Sequence, residues 1–245
     1  MTWSILARDP DSGLFGIAIA SRFFAVGALC PHAEAGVGLV STQALMNPLL
    51  GPKALEAMRA GEPPEAACTR LIEADEGRDQ RQLHLLDAGG RAAAHTGERC
   101  VGWCGHRAAE NVSVAGNMLV GPGVVDDTLD TFLARDELPI VERLLVAMEA
   151  GETAGGDKRG RQSAAILVQG EEPYPRLSLR ADDHAYPLTE LRRLYAVARE
   201  RFIPFSSAFP TSERPHGLLE RNVLDAIIER DGGKPLGPLS SVELP

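Results

Sequence analysis

The first 22 residues constrain the fold more than any other stretch, because they encode a β-hairpin at the very start of the chain. Two apolar runs, residues 1–8 and 14–22, flank the segment Asp9-Pro10-Asp11-Ser12-Gly13. In such a segment proline sets φ and glycine accepts a positive φ, which is typical of a turn between two strands. Chain ends are usually loose unless a strand holds them in a sheet. The sequence therefore predicts an N-terminus that is built into a sheet.

A threonine at position 2 makes this hairpin a candidate for catalysis. If Met1 is removed, Thr2 becomes the N-terminal residue, and its own α-amine can act as the base for its hydroxyl. An α-amine has a pKa of about 7.7–8.0, which suits a general base at neutral pH. With Met1 retained, the amine lies one residue too far away. The alternative is an ordinary strand residue, since many chains begin Met-Thr by chance.

Length and composition are those of a globular protein with a substantial core. The chain has 245 residues, of which 44% are hydrophobic and 24% charged, and these values exclude disordered and fibrous classes. The tail is rich in proline and contains one helical pattern. We expect one main domain over residues 1–203 and an appendage over residues 204–245.

Charge and cysteine content restrict the partners and the compartment. A net charge of −9 disfavours nucleic acids and anionic membranes, because both require a basic surface. No run of about 18 apolar residues and no signal-peptide pattern is present, so we expect a cytoplasmic protein. Its four cysteines are too few and too scattered for a disulfide framework.

The order of elements predicts an α+β fold with mostly antiparallel sheets, because strands and helices occur in blocks and do not alternate. Apolar alternation predicts further strands, and apolar residues spaced by three and four predict helices. The predicted strands after the hairpin are 37–42, 81–87, 91–96, 111–115, 164–168 and 176–180, and the predicted helices are 52–60, 64–74, 124–134, 140–150 and 187–202.

Two groups of polar residues follow buried strands or lead into them. The loop 157–163 contains three cations and one acid and runs into an apolar strand. Ser41-Thr42-Gln43 and Asn47 end another strand. Polar groups at the end of a sheet need partners, so we expect both segments to line one polar cleft. A solvated turn is the alternative for the loop, since most loops carry no function.

Other motifs in the sequence are weak. Residues 151–158 resemble a phosphate-binding loop but place Asp157 where that motif requires lysine. Cys100, Cys104 and His106 lie close together without the second ligand pair that zinc sites prefer, which favours buried thiols. We therefore expect neither a metal nor a cofactor.

Several motifs, in unbroken order over about residues 1–200, resemble the DUF1028 family of bacterial and archaeal proteins. They are residues 2–7, Ala20-Ser21-Arg22, 25–27, 41–44, Asn47-Pro48, 77–82, 95–97, 116–119 and 155–164. The resemblance implies an Ntn-hydrolase-like fold, which is a four-layer α-β-β-α sandwich with two stacked antiparallel sheets.

The resemblance also implies an activity, because members of the wider superfamily are amidohydrolases with an N-terminal Thr, Ser or Cys. The predicted catalytic residues are Thr2, Asp157 and Arg159, and the predicted substrate-binding residues are Ser21, Arg22, Ser41, Thr42, Gln43, Asn47, Gln162 and Ser163. The substrate would be a small non-protein metabolite with a C–N (amide) bond, and the protein would be a homodimer.

Two alternatives to this activity stay open. Ala20 replaces the acid that proteasome β-subunits carry in the similar Asp-Ser-Arg motif, and no lysine precedes Lys53. One alternative is therefore an Ntn-like enzyme without a terminal nucleophile, similar to a cyclohydrolase. The other is a scaffold that binds a metabolite without turning it over.

Overall fold

The structure is a computed structural model, and it describes residues 2–233. The chain divides into two compact units, Met1–Leu191 and Arg192–Pro245. This division falls within the helix Pro187–Glu200, whereas the sequence predicted a boundary after residue 203. Met1 and residues 234–245 of the predicted appendage lie outside the described residues.

The described residues contain ten strands and seven α-helices. The strands are β1 (Thr2–Arg8), β2 (Phe15–Ser21), β3 (Pro31–Glu34), β4 (Gly38–Ala44), β5 (Arg81–Asp87), β6 (Ala92–Thr96), β7 (Trp103–Ala109), β8 (Val112–Leu119), β9 (Ser163–Gln169) and β10 (Pro175–Ala181). The helices are α1 (Leu50–Arg59), α2 (Pro64–Glu73), α3 (Gly123–Leu133), α4 (Ile140–Thr153), α5 (Pro187–Glu200), α6 (Phe202–Ser206) and α7 (Arg221–Arg230).

The strands form two antiparallel sheets, so the chain is a mixed α+β structure as predicted. The first sheet has the order β10-β9-β2-β1-β8-β7 and the second the order β3-β4-β5-β6. The predicted N-terminal hairpin is confirmed, with Thr2 opposite Ser21 and Arg8 opposite Phe15. Because β1 pairs with β2 on one side and β8 on the other, the N-terminal strand lies inside the six-stranded sheet.

Helices cover the outer faces of the two sheets. Helices α3 and α4 contact β8, β7, β2 and β1 of the first sheet, and helices α1 and α2 contact β4, β3, β6 and β5 of the second. Strands β1 and β2 contact β4, and β8 contacts β5, so the sheets face each other. The layers of the first unit therefore follow the order helix, sheet, sheet, helix.

Alternating apolar side chains fill the space between the sheets. Leu6, Ile17, Leu39 and Leu86 form one cluster there. Each lies two positions, or a multiple of two, from the other inward-facing residues of its strand. Toward the start of β1, the same inward positions carry polar residues. The interior between the sheets therefore changes from apolar to polar along the strands.

The sequence did not predict strands β3 and β7. Strand β3 has four half-buried residues and begins at a proline, and both strands are sheet edges. An edge strand buries less of its surface, so it needs no clean apolar alternation. The segment around Cys104, where no strand was predicted, is the start of β7.

No helix within residues 2–233 combines the length and the apolar character that a membrane-spanning helix requires.

Candidate active site

A cleft of about 410 Å³ opens where β1 begins and β2 ends. Trp3 and Ala20 line it from the face of the sheet that α3 and α4 cover, and the segment that follows α4 forms another wall. Ser21, Arg22, Asp157 and Arg161 are among the polar residues on its surface. The cleft has the size of a small-molecule site.

Thr2 lies at the start of β1, next to Trp3, but it does not line the cleft, and its side chain points to the opposite face of the sheet, between the two sheets. Its side chain is buried, with 5% of the residue exposed, and Thr2 Oγ1 donates a hydrogen bond to Ser21 Oγ over 3.1 Å. Thr2 pairs with Ser21 of β2 and with Asn117 of β8. Because two neighbouring strands hold the backbone, the position of the Thr2 hydroxyl is well defined.

Asp157 joins the loop after α4 to the end of β2. Its Oδ2 accepts the backbone N–H of Arg22 over 2.8 Å and Arg159 Nη2 over 3.3 Å, and its Oδ1 accepts the backbone N–H of Arg159 over 2.8 Å. Only 1% of the Asp157 side chain is exposed. Gly155 and Gly156, with φ of +120° and +54°, give the loop the backbone conformation it needs to reach this position.

Arg161 and Arg22 lie next to each other in the lining of the cleft. Arg161 Nε lies 3.0 Å from Glu152 Oε1, and its guanidinium lies 5.6 Å from the centre of the Tyr186 ring. The pKa of Glu152 is raised, because the effect of burial outweighs the lowering effect of the Arg161 charge. Arg22 Nη1 donates a hydrogen bond to the Arg161 carbonyl over 3.2 Å.

The remaining residues of the loop fix its C-terminal end. Ser163 Oγ donates to the Phe23 carbonyl over 2.5 Å and accepts the Val26 N–H over 3.1 Å. Gln162 Nε2 donates to Asp183 Oδ1 over 3.2 Å. Ser163 thereby joins the segment after β2 to the start of β9, and neither Ser163 nor Gln162 lines the cleft.

The sequence profile of one protein family, described as a family of unknown function (DUF1028), matches residues 2–191. This chain belongs to the DUF1028 family. A crystal structure of a DUF1028 protein from Silicibacter pomeroyi has 32% sequence identity and a TM-score of 0.83, covering 89% of this chain and 99% of that one. Anbu, an ancestral β-subunit from Yersinia bercovieri, has 12% identity and a TM-score of 0.37, covering 80% and 94%. No curated protein matches.

The DUF1028 chain places Ser41 and Gln43 in a buried polar network between the sheets. Ser4 Oγ lies 2.8 Å from Gln43 Oε1 and 2.8 Å from His84 Nε2, and 3.3 Å from Ser41 Oγ. His84 Nδ1 lies 3.0 Å from Ser113 Oγ. Ser4 and His84 resemble a nucleophile and its base, but both are fully buried, so no substrate reaches them in this conformation.

The same network extends to the strand beside Thr2. Gln43 Nε2 donates to Gln82 Oε1 over 2.7 Å, and Asn117 Nδ2 donates to the same oxygen over 3.0 Å. Neither Gln82 nor Asn117 was predicted to be a site residue. One signal was available: both occupy inward-facing strand positions, where apolar residues stand elsewhere in the sheets. In the DUF1028 fold these amides connect the interior to the start of β1.

Thr42 and Asn47 lie on the opposite face of the second sheet. Thr42 Oγ1 donates to the Asn47 carbonyl over 3.1 Å, and Asn47 Nδ2 donates to Asp75 Oδ2 over 3.2 Å. Successive residues of a strand point to opposite faces, so Thr42 points away from Ser41 and Gln43. The two segments therefore do not line one cleft, as the sequence had predicted. The loop 157–163 borders the cleft described above, and residues 42–47 do not.

The four cysteines of the DUF1028 chain are free thiols, and none of them lines the cleft. Burial raises the pKa of Cys30 to about 12 and that of Cys68 to about 11, so both stay protonated at neutral pH. Cys100 and Cys104 are half-buried. Within residues 2–233, no group of three or more His, Cys, Asp and Glu side chains is arranged to hold a metal ion.

Proposed function

We propose that this protein is an Ntn-hydrolase-like amidohydrolase that cleaves a C–N (amide) bond of a small, non-protein metabolite, with Thr2 as the nucleophile after removal of Met1. The layer order and the two antiparallel sheets support this fold. The position of Thr2 at the start of an internal strand supports the choice of nucleophile.

The observation that carries the proposal is the hydrogen bond between Thr2 and Ser21 at the edge of the cleft. Ser21 lines the cleft and accepts the Thr2 hydroxyl over 3.1 Å. The Thr2 side chain points to the face between the sheets, opposite to Trp3 and Ala20, so a substrate carbonyl would reach the Thr2 hydroxyl around the strand ends, beside Ser21. A fixed nucleophile beside a bound carbonyl lowers the entropic part of the barrier.

The proposed reaction has two steps. The Thr2 α-amine takes the hydroxyl proton as Thr2 Oγ1 attacks the amide carbon, and the resulting ammonium group then protonates the departing nitrogen. The C–N bond breaks, an amine leaves, and an ester to Thr2 remains. Water then attacks this ester, with the α-amine again as the base, and releases the acid and the free hydroxyl.

Asp157 and Arg159 have positioning roles in this proposal. The Asp157 carboxylate already accepts three N–H groups and is almost fully buried, so it does not serve as an exchangeable acid or base. Instead it holds the backbone at Arg22 and Arg159, next to Ser21. Its loss would displace the wall of the cleft.

A binding protein without turnover is the second candidate. The observation that favours it is the low exposure of Thr2, at 5%, which limits access of a carbonyl to its hydroxyl. In that case the cleft would hold a metabolite and Thr2 would be an ordinary strand residue.

Intact mass and an amide-library screen separate the two candidates. We expect the natively expressed protein to lack Met1, and at least one small amide to be hydrolysed. Thr2→Ala should abolish hydrolysis, since no hydroxyl remains to attack, and Thr2→Ser should retain part of it. Thr69→Ala, at an exposed position of α2, is the matched control and should leave the rate unchanged.

Retention of Met1 on all molecules would contradict a terminal nucleophile. Hydrolysis that survives Thr2→Ala would contradict it as well, and would favour an enzyme without a terminal nucleophile. Ligand binding without turnover in the unmodified protein would support the binding candidate.

A further inference from the structure

Arg22 differs from Arg159 and Arg161, the other arginines around the cleft, in its ion pairing. Arg159 is paired with Asp157 at 3.3 Å and Arg161 with Glu152 at 3.0 Å. Across residues 2–233, the Arg22 guanidinium has no carboxylate within salt-bridge distance, and its hydrogen bond goes to a backbone carbonyl. Its positive charge is therefore available to a ligand in the cleft.

The surroundings of Arg22 hold it in place while leaving most of its donors open. Asp157 binds its backbone N–H, and the Arg161 carbonyl accepts Nη1. Gly160 passes close to the same nitrogen: a Cβ there would lie 3.6 Å from Nη1, and its φ of +105° favours glycine. A guanidinium has five N–H donors in a planar fork, so four remain for a second partner.

Part of the lining of the cleft is apolar. Trp3, Ala20, Ala185 and Pro187 line it, and the six-membered ring of Trp3 approaches Gly156. A ligand that matches both Arg22 and this apolar surface has an anionic group and a small uncharged part. A cleft of about 410 Å³ limits such a ligand to the size of a small metabolite.

We propose that the cleft recognises a small amide that carries a carboxylate, and that Arg22 binds this carboxylate. The inference rests on the proposed amide hydrolysis and specifies its substrate class. A carboxylate matches the planar fork of arginine in two parallel hydrogen bonds. It also suits the cleft better than a doubly charged phosphate does, because Glu152 and Asp157 line the same surface and would repel the larger charge.

Trp3 provides a direct measurement of binding. The chain has two tryptophans, Trp3 and Trp103, and Trp3 lines the cleft. In a Trp103→Phe, Thr2→Ala protein the fluorescence of Trp3 reports occupancy, and no turnover through Thr2 consumes the probe. The probes are two matched pairs, succinamate with succinamide and glutaramate with glutaramide, which differ only in carboxylate against amide.

We expect at least one carboxylate probe to bind about tenfold more tightly than its diamide, the ratio that one charge-assisted hydrogen bond supplies. Arg22→Gln in the same background should remove this preference and leave the melting temperature close to that of its parent, since the Arg22 side chain is exposed. Arg176→Gln, at an exposed position of β10, is the matched control and should keep the preference.

Equal affinity for the carboxylate and diamide probes would overturn the inference, as would a carboxylate preference that survives Arg22→Gln. A preference that depends on Arg22, in a protein that hydrolyses no amide, would retain this inference and reject the hydrolase. Hydrolysis of neutral amides with no carboxylate preference would do the opposite.

Discussion

At the scale of single residues, Asp157 shows how a charged side chain next to a cleft acts through the backbone. It was predicted as a catalytic residue together with Thr2 and Arg159, in a role of positioning and oxyanion stabilisation. In the structure its two oxygens accept N–H groups from Arg22 and Arg159. It thereby determines where the loop and the end of β2 lie relative to each other.

Asp157→Asn should destabilise the protein by about 1–3 kcal/mol, because an amide offers one acceptor oxygen where the carboxylate offers two, and its NH₂ group faces N–H donors. The free energy of unfolding in urea measures this effect. Asp182→Asn is the control: its carboxylate pairs with Arg180 on the surface, so its loss should cost no more than about 0.5 kcal/mol. Equal effects of the two substitutions would contradict the role of Asp157.

His84 should make the stability depend on pH. Burial between the sheets, and to a lesser degree the charge of His106, lowers its pKa from 6.5 to about 3. Between these pH values the unfolded chain binds a proton that the folded chain does not, so stability falls as pH decreases. The contribution of His84 between pH 7 and pH 5 is a loss of roughly 2 kcal/mol.

His84→Gln tests this dependence. Carboxylates contribute in the same direction, so the relevant quantity is the difference between the two proteins. We expect the unfolding free energy of His84→Gln to be lower at pH 7 but to fall less steeply toward pH 5. Parallel curves for the two proteins would contradict the buried, neutral state of His84.

At the scale of elements, the turn after β2 depends on close contact with β9. The 3-10 helix Val26–Ala28 contains Gly27, where a Cβ would lie 2.2 Å from the Cβ of Ala165. Neither atom can move without its backbone. A side chain at position 27 would therefore push the turn, and with it the segment that follows Arg22, away from the sheet.

Gly27→Ala should lower the free energy of unfolding by about 1–3 kcal/mol, the usual cost of overpacking a tight contact. Thermal or urea unfolding measures the change. Gly121→Ala is the control, since a Cβ at Gly121 has no neighbour within 4 Å and should change stability by no more than about 0.5 kcal/mol. A Gly27→Ala protein as stable as the control would show that the turn adjusts freely.

At the scale of the whole molecule, we predict a homodimer, since most soluble oligomers are symmetric dimers. Large apolar side chains on the surface of the first unit are consistent with an interface: Phe24 is 63% and Leu49 65% exposed. Sedimentation equilibrium should give a mass of twice the 26.2 kDa of one chain. A mass of one chain at every concentration would contradict the prediction.

The elements that could be predicted are those with local causes. Turn residues identified the hairpin of β1 and β2, apolar alternation identified β5 and β6, and apolar residues spaced by three and four identified α1 to α5. The short edge strands β3 and β7 were missed, because an edge strand satisfies its backbone by pairing and leaves little alternation in its side chains.

The candidate site shows the same division. The order of residues by itself determined that Thr2 lies in the first strand and that the loop 155–163, which is rich in glycine and polar residues, leads into a buried strand. Both features depend on neighbouring residues. Only the tertiary structure decided that Asp157 binds the backbone at Arg22, that Arg22 has no carboxylate partner among the described residues, and that Thr42 faces away from Ser41. These facts depend on strand register and layer order, which bring together residues more than a hundred positions apart and which no local pattern encodes.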